Sequence, residues 1–313
     1  MNIMSQKTQT PNKKFKIGIC VCGFMLKHAI SIYIDESLSE LFRRTVWYMY
    51  RMTIRQYLPV NGHYVYNDVD VIQKHVLDRV FFPYYSNEPT WEGGVVSCHE
   101  AETEIGDSII IVGGGKGISA VRAARIAGKS GNVILYEGGK ESVEYLDNVI
   151  EINDVVQQVT VRHAIVGHEI NVFGGDSSMA KSISPDELPD CDVLELDCEG
   201  SEIDILYNMD ISPRVIIMEI HPWQFSDDFD VIMKYLSDIG YEIRHRFGHD
   251  GVALNENGFR ILFEHSKHFG SEYSASAICG FYNQESMRLL EGPNDGTITG
   301  ARWPVVLAAV KRE

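Results

Sequence analysis

Between residues 90 and 247 short aliphatic runs alternate with segments of helical period, and no other feature of this sequence restricts its fold as much. The runs SIIIV (108–112), NVILYE (132–137), QVTVRHAIV (158–166), DVLELD (192–197), RVIIMEI (214–220) and YEIRHRF (241–247) predict strands. Helices are expected over 91–104, 116–127, 140–153, 201–209 and 227–240. Alternation of this kind gives an α/β, doubly wound, mostly parallel sheet, with ligand sites at the carboxyl ends of its strands.

The first strand runs into glycines, SIIIVGGGKGIS (108–119), and the helix that follows starts at a turn whose backbone N–H groups favour polar or anionic ligand groups. Two patterns fit it. Gly115 to Ala120 matches the dinucleotide form G-x-G-x-x-A, while Gly113, Gly115 and Gly117 match the looser G-x-G-x-G of S-adenosylmethionine (SAM) sites. Glu137, at the end of the second strand, can accept both ribose hydroxyls of an adenosine group and fits either cofactor. The GKS at 128–130 lacks a preceding strand and a first glycine at Ala123, so it is a helix end and not a phosphate loop.

Composition narrows the function classes. The 313 residues can bury a full core, with 44% hydrophobic and 23% charged residues, as in a globular protein. A formal net charge of −16 opposes nucleic-acid binding, because neutralising phosphates needs surplus Lys and Arg. The six cysteines form no C-x-x-C pair, which argues against structural zinc and for a reducing, cytoplasmic compartment.

The first 14 residues read as a disordered tail, and the apolar run IGICVCGFML has neither a signal-peptide cleavage site nor the length of a membrane span. A helical module is expected over 15–89. In it Leu38, Leu41, Phe42, Val46, Met49 and Met52 follow helical spacing, beside Arg43, Arg44, Arg51 and Arg55. A helix packed in a globular module is the expectation, and peripheral contact with an anionic membrane is the alternative. An Asn61-Gly62 turn predicts a small hairpin after it.

Acidic residues gather after the fourth and fifth predicted strands. DVLELDCEGSE places Asp197, Glu199 and Glu202 there, and VIIMEIHP places Glu219 and His221, so the two ends converge over one crevice. Carboxylates and an imidazole together can bind a divalent cation, orient a hydroxyl or take its proton. A hydride-transfer site would instead call for a nicotinamide pocket with an Arg or Tyr-Lys relay. Glu202 alone also suits a helix-capping role.

CDVLELDCEGSEIDIL followed by VIIMEIHP resembles the FkbM-type SAM-dependent methyltransferases, whose signature runs strand, Asp-x-Glu-Gly-x-Glu, helix, and a fifth strand ending in Glu. The resemblance spans 92–241, and Ser184, Pro185 and Glu187 form a capping box where that family has a segment before strand four. It implies a Rossmann-like class I methyltransferase fold over 90–313, closed by an antiparallel strand at WPVVLAAV (303–310). A long insertion precedes that strand, with a hairpin expected around NENGF (255–259).

The resemblance also implies SAM as donor and O-methylation of a sugar, glycan or related small molecule. By position, Gly113, Gly115 and Gly117 would approach the methionine part, Glu137 and Gly138 the ribose, and Ala164 and Ile165 the adenine. Asp197, Glu199 and Glu219 would flank the reacting centre, with His221 as first choice of base and Asp197 as second. Magnesium held by Asp197 and Glu219 is an alternative way to acidify the hydroxyl. Two positions depart from the family: Ile111 stands where an acid normally helps hold the SAM amino group, and Gly138 replaces proline. An NAD-dependent oxidoreductase, or a cofactor-binding protein without catalysis, are the competing readings. The sequence leaves the oligomeric state open.

Overall fold

The computed structural model describes residues 38–58, 60–75, 87–88, 90–167, 177–198, 200–224, 229–268 and 304–312. The chain divides into two compact units, Met1–Pro59 and Val60–Glu313. The expected tail at 1–14 lies outside the described residues. In the first unit, α1 (Leu38–Thr53) carries the predicted apolar stripe, but Leu38, Phe42, Val46, Met49 and Met52 are all exposed, by 41% to 69%. No helix among the described residues is long and apolar enough to cross a membrane.

The second unit opens with β1 (Val60–Tyr66), β2 (Val69–His75), β3 (Asn87–Glu88) and α2 (Gly93–Glu102). There follow β4 (Ser108–Val112), α3 (Ile118–Ala127), β5 (Asn132–Glu137), α4 (Lys140–Ile152), β6 (Val159–Val166) and β7 (Lys181–Ile183). The remainder is β8 (Val193–Leu196), α5 (Glu202–Asn208), β9 (Val215–Ile220), α6 (Phe229–Asp238), β10 (Tyr241–Gly248), α7 (Glu256–His268) and β11 (Val305–Lys311). The GKS segment is a short 3₁₀ turn at the end of α3, as expected.

Eight strands form one sheet in the order β10-β11-β9-β8-β4-β5-β6-β7. Pairing from β7 to β9 is parallel, and β11 runs antiparallel to both β9 and β10. This is the class I methyltransferase arrangement, with the antiparallel strand where the resemblance implied it. Residues of β8 and β9 are buried on both faces, as helices on both sides require. Ile109, Ile111, Val193, Val215 and Ile217 pack against α2, α3 and α4, while Ile110, Val112, Leu194, Leu196 and Met218 pack against α5, α6 and α7.

Two local expectations are corrected. The hairpin turns at Asn67-Asp68, both with left-handed φ (46° and 62°), while Asn61 and Gly62 lie inside β1 beside a register shift. Two successive left-handed residues match the twist of a two-residue hairpin, and Asn and Asp tolerate them. The hairpin, placed by sequence with the N-terminal module, buries Tyr64, Tyr66, Val69 and Val71 in the core shared with α2, α3 and α4.

NENGF forms no hairpin. Asn255 caps α7, its Oδ1 accepting the Gly258 N–H at 2.7 Å, and Phe259, Leu262, Phe263 and Ser266 then bury one helical face. The Asn-Gly turn signal loses to a cap followed by an apolar stripe of helical period. Asn255→Ala should lower stability by about 1 kcal/mol in thermal or denaturant unfolding, with Asn255→Asp close to the parent. Equal stability of all three would remove the capping role.

Candidate active site

The glycine turn is fixed by what surrounds it. Gly113 follows β4 with φ 98°, its N–H donates to Tyr136 O at 3.0 Å, and a Cβ placed on it would lie 1.7 Å from Asp197 O. Only glycine fits there. Gly115 and Gly117 also have left-handed φ, and Gly117 immediately precedes α3. On the far side of the turn, Glu137 Oε2 accepts the Gly114 N–H at 3.1 Å and Oε1 accepts the Gly139 N–H at 2.8 Å. Burial pushes the Glu137 carboxyl above its ordinary range, opposed by these backbone donors and by His163. The Gly138 carbonyl accepts from His163 Nε2 at 3.0 Å.

Ala164 and Ile165 lie within β6, opposite Lys181 and Ser182 of β7, and not after it. Ala164 is a core residue, and the strand ends at Val166. The strand ends where its aliphatic run predicted, and the adenine positions taken from the resemblance fall inside it.

Period-two alternation turns Glu195, Asp197 and Glu219 toward the sheet face that carries α2. Glu195 is fully buried and bonds His99 Nε2 at 2.6 Å, while His99 Nδ1 meets Thr103 Oγ1 at 2.8 Å. Glu219 Oε1 accepts from His249 Nδ1 at 3.0 Å. Its other oxygen, Oε2, is buried without a hydrogen-bond partner among the described residues. Asp197 is the more open acid, with a side chain 22% exposed.

Glu202 and His221 meet across the crevice. Glu202 Oε1 accepts the Cys198 N–H and His221 Nδ1, each at 3.1 Å, and Oε2 accepts the Gly200 N–H at 2.9 Å. His221 Nε2 is turned toward Asp197 and Glu219, 4.0 Å from an oxygen of each. Glu202 therefore both ties the loop ahead of α5 and orients the imidazole, a second role that its capping position concealed. Glu199 lies outside the described residues.

One atom each of Asp197, Glu202 and His221 fall within 4.8 Å of one another, the spacing of a small cation site. The set does not suit magnesium, which prefers several oxygens and water, because one donor is an imidazole and both Glu202 oxygens already accept backbone N–H groups.

Glu92 is the acid that sequence reasoning missed. It precedes α2 in a left-handed conformation (φ 51°, ψ 28°), and its side chain reaches the glycine turn. Oε2 accepts the Ser119 N–H of α3 at 3.1 Å, and Oε1 accepts Trp91 Nε1 at 3.2 Å. Trp91 stacks on Tyr66 of the hairpin, and Lys116 Nζ lies 3.2 Å over the Trp91 ring. The only sequence signal is W-E-G-G, a charged residue beside two glycines at a helix start.

Burial, with Glu219 and Glu195 nearby, pushes the Glu92 carboxyl up to about 7. Asp197 is likewise held well above its usual range, first by burial and then by Glu219 and Glu92. For His249 burial acts downward, but its bond to Glu219 and the charges of Glu219, Glu92 and Asp250 outweigh it and raise it. Each of these shifts means that the folded protein binds protons the unfolded chain would release. Stability of the ligand-free protein should therefore fall as pH rises from the ordinary carboxylate range, about 4.5, through about 7. Melting temperatures across that window should decline, and Glu92→Gln should flatten the decline; a rising profile would contradict the proton assignment.

The geometry fits SAM in two respects: a turn whose Cβ-free backbone closes on Asp197, and a buried acceptor, Glu219 Oε2, suited to a donor on a cationic ligand. Among solved structures, the chain is similar to an SAM-dependent O-methyltransferase from Thermotoga maritima, with 15% identity, TM-score 0.39, and coverage of 78% of this chain and 75% of that one. A precorrin-6y C5,15-methyltransferase from Geobacter metallireducens GS-15 gives 12% identity, TM-score 0.38, and 69% and 86% coverage. A ribosomal protein L11 methylase from Lactobacillus delbrueckii subsp. bulgaricus gives 11%, 0.38, and 70% and 77%. No curated protein matches the chain significantly. Residues 180–243 match the Methyltransferase FkbM domain, a segment that runs from β7 through β8, α5 and β9 into β10 and contains Asp197, Glu202, Glu219 and His221. That match is seated on a sheet of methyltransferase strand order, and the two together support a SAM-dependent methyltransferase that is similar to the FkbM type over this segment.

Proposed function

We propose that the enzyme methylates a hydroxyl of a sugar, a glycan or a related small molecule, with His221 as general base. The observation that carries this reading is the imidazole held at Nδ1 by Glu202, with Nε2 turned toward Asp197 and Glu219 over the strand ends. Backbone groups of Gly113, Gly115 and Gly117 would hold the methionine part of SAM, and Glu137 with Gly138 the ribose. SAM supplies a methyl group already activated on a sulfonium, so the protein's tasks are alignment and control of one proton. Alignment alone is worth roughly 7–11 kcal/mol.

Glu202 accepts the proton on Nδ1, which leaves the lone pair of the neutral ring on Nε2, the atom that faces the crevice. A sugar hydroxyl is a weak nucleophile near neutral pH, and a placed base adds about 10²- to 10⁴-fold. As Nε2 takes the hydroxyl proton, the imidazolium gains from the carboxylates of Glu202, Asp197 and Glu219. The arrangement follows the logic of a base oriented by a buried acid. Hydride transfer would gain nothing from this set, since it asks for a relay of the Arg or Tyr-Lys kind.

Methyl transfer from labelled SAM to hydroxyl acceptors tests the reading. His221→Ala and Asp197→Asn should each cut the rate by at least about 10²-fold while leaving affinity for S-adenosylhomocysteine within a few-fold of the parent. Glu202→Gln should lower kcat and shift its pH profile, because the tautomer is no longer fixed. Unchanged turnover in His221→Ala would remove the imidazole from the chemistry.

Calorimetry addresses the cofactor separately. Glu137→Ala should weaken S-adenosylhomocysteine binding by roughly 1.5–3 kcal/mol, the value of a charged hydrogen-bond acceptor. Binding of NAD in place of S-adenosylhomocysteine would install the oxidoreductase reading instead.

A further inference from the structure

We infer that Glu92 is the carboxylate that receives the ammonium group of the cofactor, supplied from the start of α2 because β4 carries Ile111 where an acid would otherwise stand. The inference rests on the reading of the turn as a SAM site and adds a residue to it. Ile111 is fully buried in the apolar core between the sheet and α2, α3 and α4, and its aliphatic side chain brings no charge to that position.

Glu92 reaches the same turn from the other side. A Cβ built on Gly115 would lie 3.3 Å from Glu92 Oε1, which places the carboxylate against the middle glycine of the turn. Its backbone is held in a left-handed conformation that a non-glycine residue rarely adopts. The two residues that follow lock it there. A Cβ on Gly93 would meet Asp250 O at 2.6 Å and one on Gly94 would meet Gly248 O at 2.5 Å, so α2 starts flush against the end of β10.

Electrostatics points to a cation at this spot. Glu92 is 7% exposed and lies in the field of Glu219 and Glu195, with the Ser119 N–H and His249 as the opposing influences. Glu219, itself 3% exposed, leaves Oε2 without a hydrogen-bond partner among the described residues. Buried carboxylates so disposed are stabilised by a ligand that brings positive charge and N–H donors together, as a primary ammonium does. Capping α3 would by itself explain only the bond from Ser119, and that bond survives replacement of the carboxylate by an amide.

The test compares two ligands on two proteins by calorimetry with the full chain: S-adenosylhomocysteine and its analogue lacking the amino group, each on the parent and on Glu92→Gln. On the parent, removal of the amino group should weaken binding about 10- to 100-fold. On Glu92→Gln, S-adenosylhomocysteine should be weakened by a similar factor while the analogue binds within about threefold of its affinity for the parent, so the penalty for removing the amino group disappears. Glu92→Asp keeps the charge one methylene back and should retain part of that penalty, which covers the case of a poorly folded glutamine variant. An undiminished penalty in both variants, or equal weakening of both ligands, would overturn the role of Glu92. A parent that binds neither ligand would instead overturn the SAM reading on which the inference stands.

Discussion

The contact between Gly113 and the Asp197 carbonyl is the constraint from which the site follows. A Cβ at Gly113 would sit 1.7 Å from that oxygen, so the end of β4 and the end of β8 can approach as they do only with glycine between them. The same junction is stitched by two backbone bonds, Gly113 N–H to Tyr136 O and Asp197 N–H to Val112 O, which tie the ends of three adjacent strands. Because β8 and β9 pair in parallel with Val193 opposite Val215, fixing the end of β8 also fixes where Glu219 and His221 emerge. The turn and the acids are one structure.

That closeness has an electrostatic consequence. Glu92, Glu195, Asp197, Glu202 and Glu219 share a small region with three imidazoles, and three of the five acids are tied to a histidine: Glu195 to His99, Glu202 to His221, and Glu219 to His249. The pairs differ in what they can do. His99 and Glu195 lie in the core, and breaking such a buried pair typically costs about 3–5 kcal/mol, which suits a structural strut. His221 has its second nitrogen at the crevice, where a change in protonation can reach a ligand. Burial and mutual repulsion raise Glu92 and Asp197 together, so protons neutralise part of the excess acid.

Much of the fold was legible because its signals are local and agree with one another. β4 and β5 occupy the residues that their aliphatic runs predicted, and α3 ends at Gly128. The failures came where two local signals competed. Asn61-Gly62 promised a turn, but Asn67-Asp68 sits at the point where Tyr64, Tyr66, Val69 and Val71 can all face the core. The hairpin expected around 255–259 gave way to a helix capped by Asn255, because the spacing of Phe259, Leu262 and Phe263 buries one helical face. The site was legible where it lies on strand ends and not where it depends on contacts between distant segments. Glu92 stands 27 residues before its partner Ser119, and nothing in the glycine pattern announces it.

Glu202 shows how one side chain can link fold and chemistry in this family signature. Its two oxygens hold the Cys198 and Gly200 amides, and so set the loop that carries Asp197 away from β8. One of those oxygens also holds His221, which arrives from β9 nineteen residues later. An amide in its place would keep one acceptor and introduce a donor where Cys198, Gly200 and His221 all donate. The carboxylate is therefore required by the loop geometry and by the tautomer of the base at once, which gives a physical reason for an acid three residues beyond the Glu of Asp-x-Glu-Gly-x-Glu. It also explains how the acid that looks most like a helix cap comes to bond the imidazole of His221.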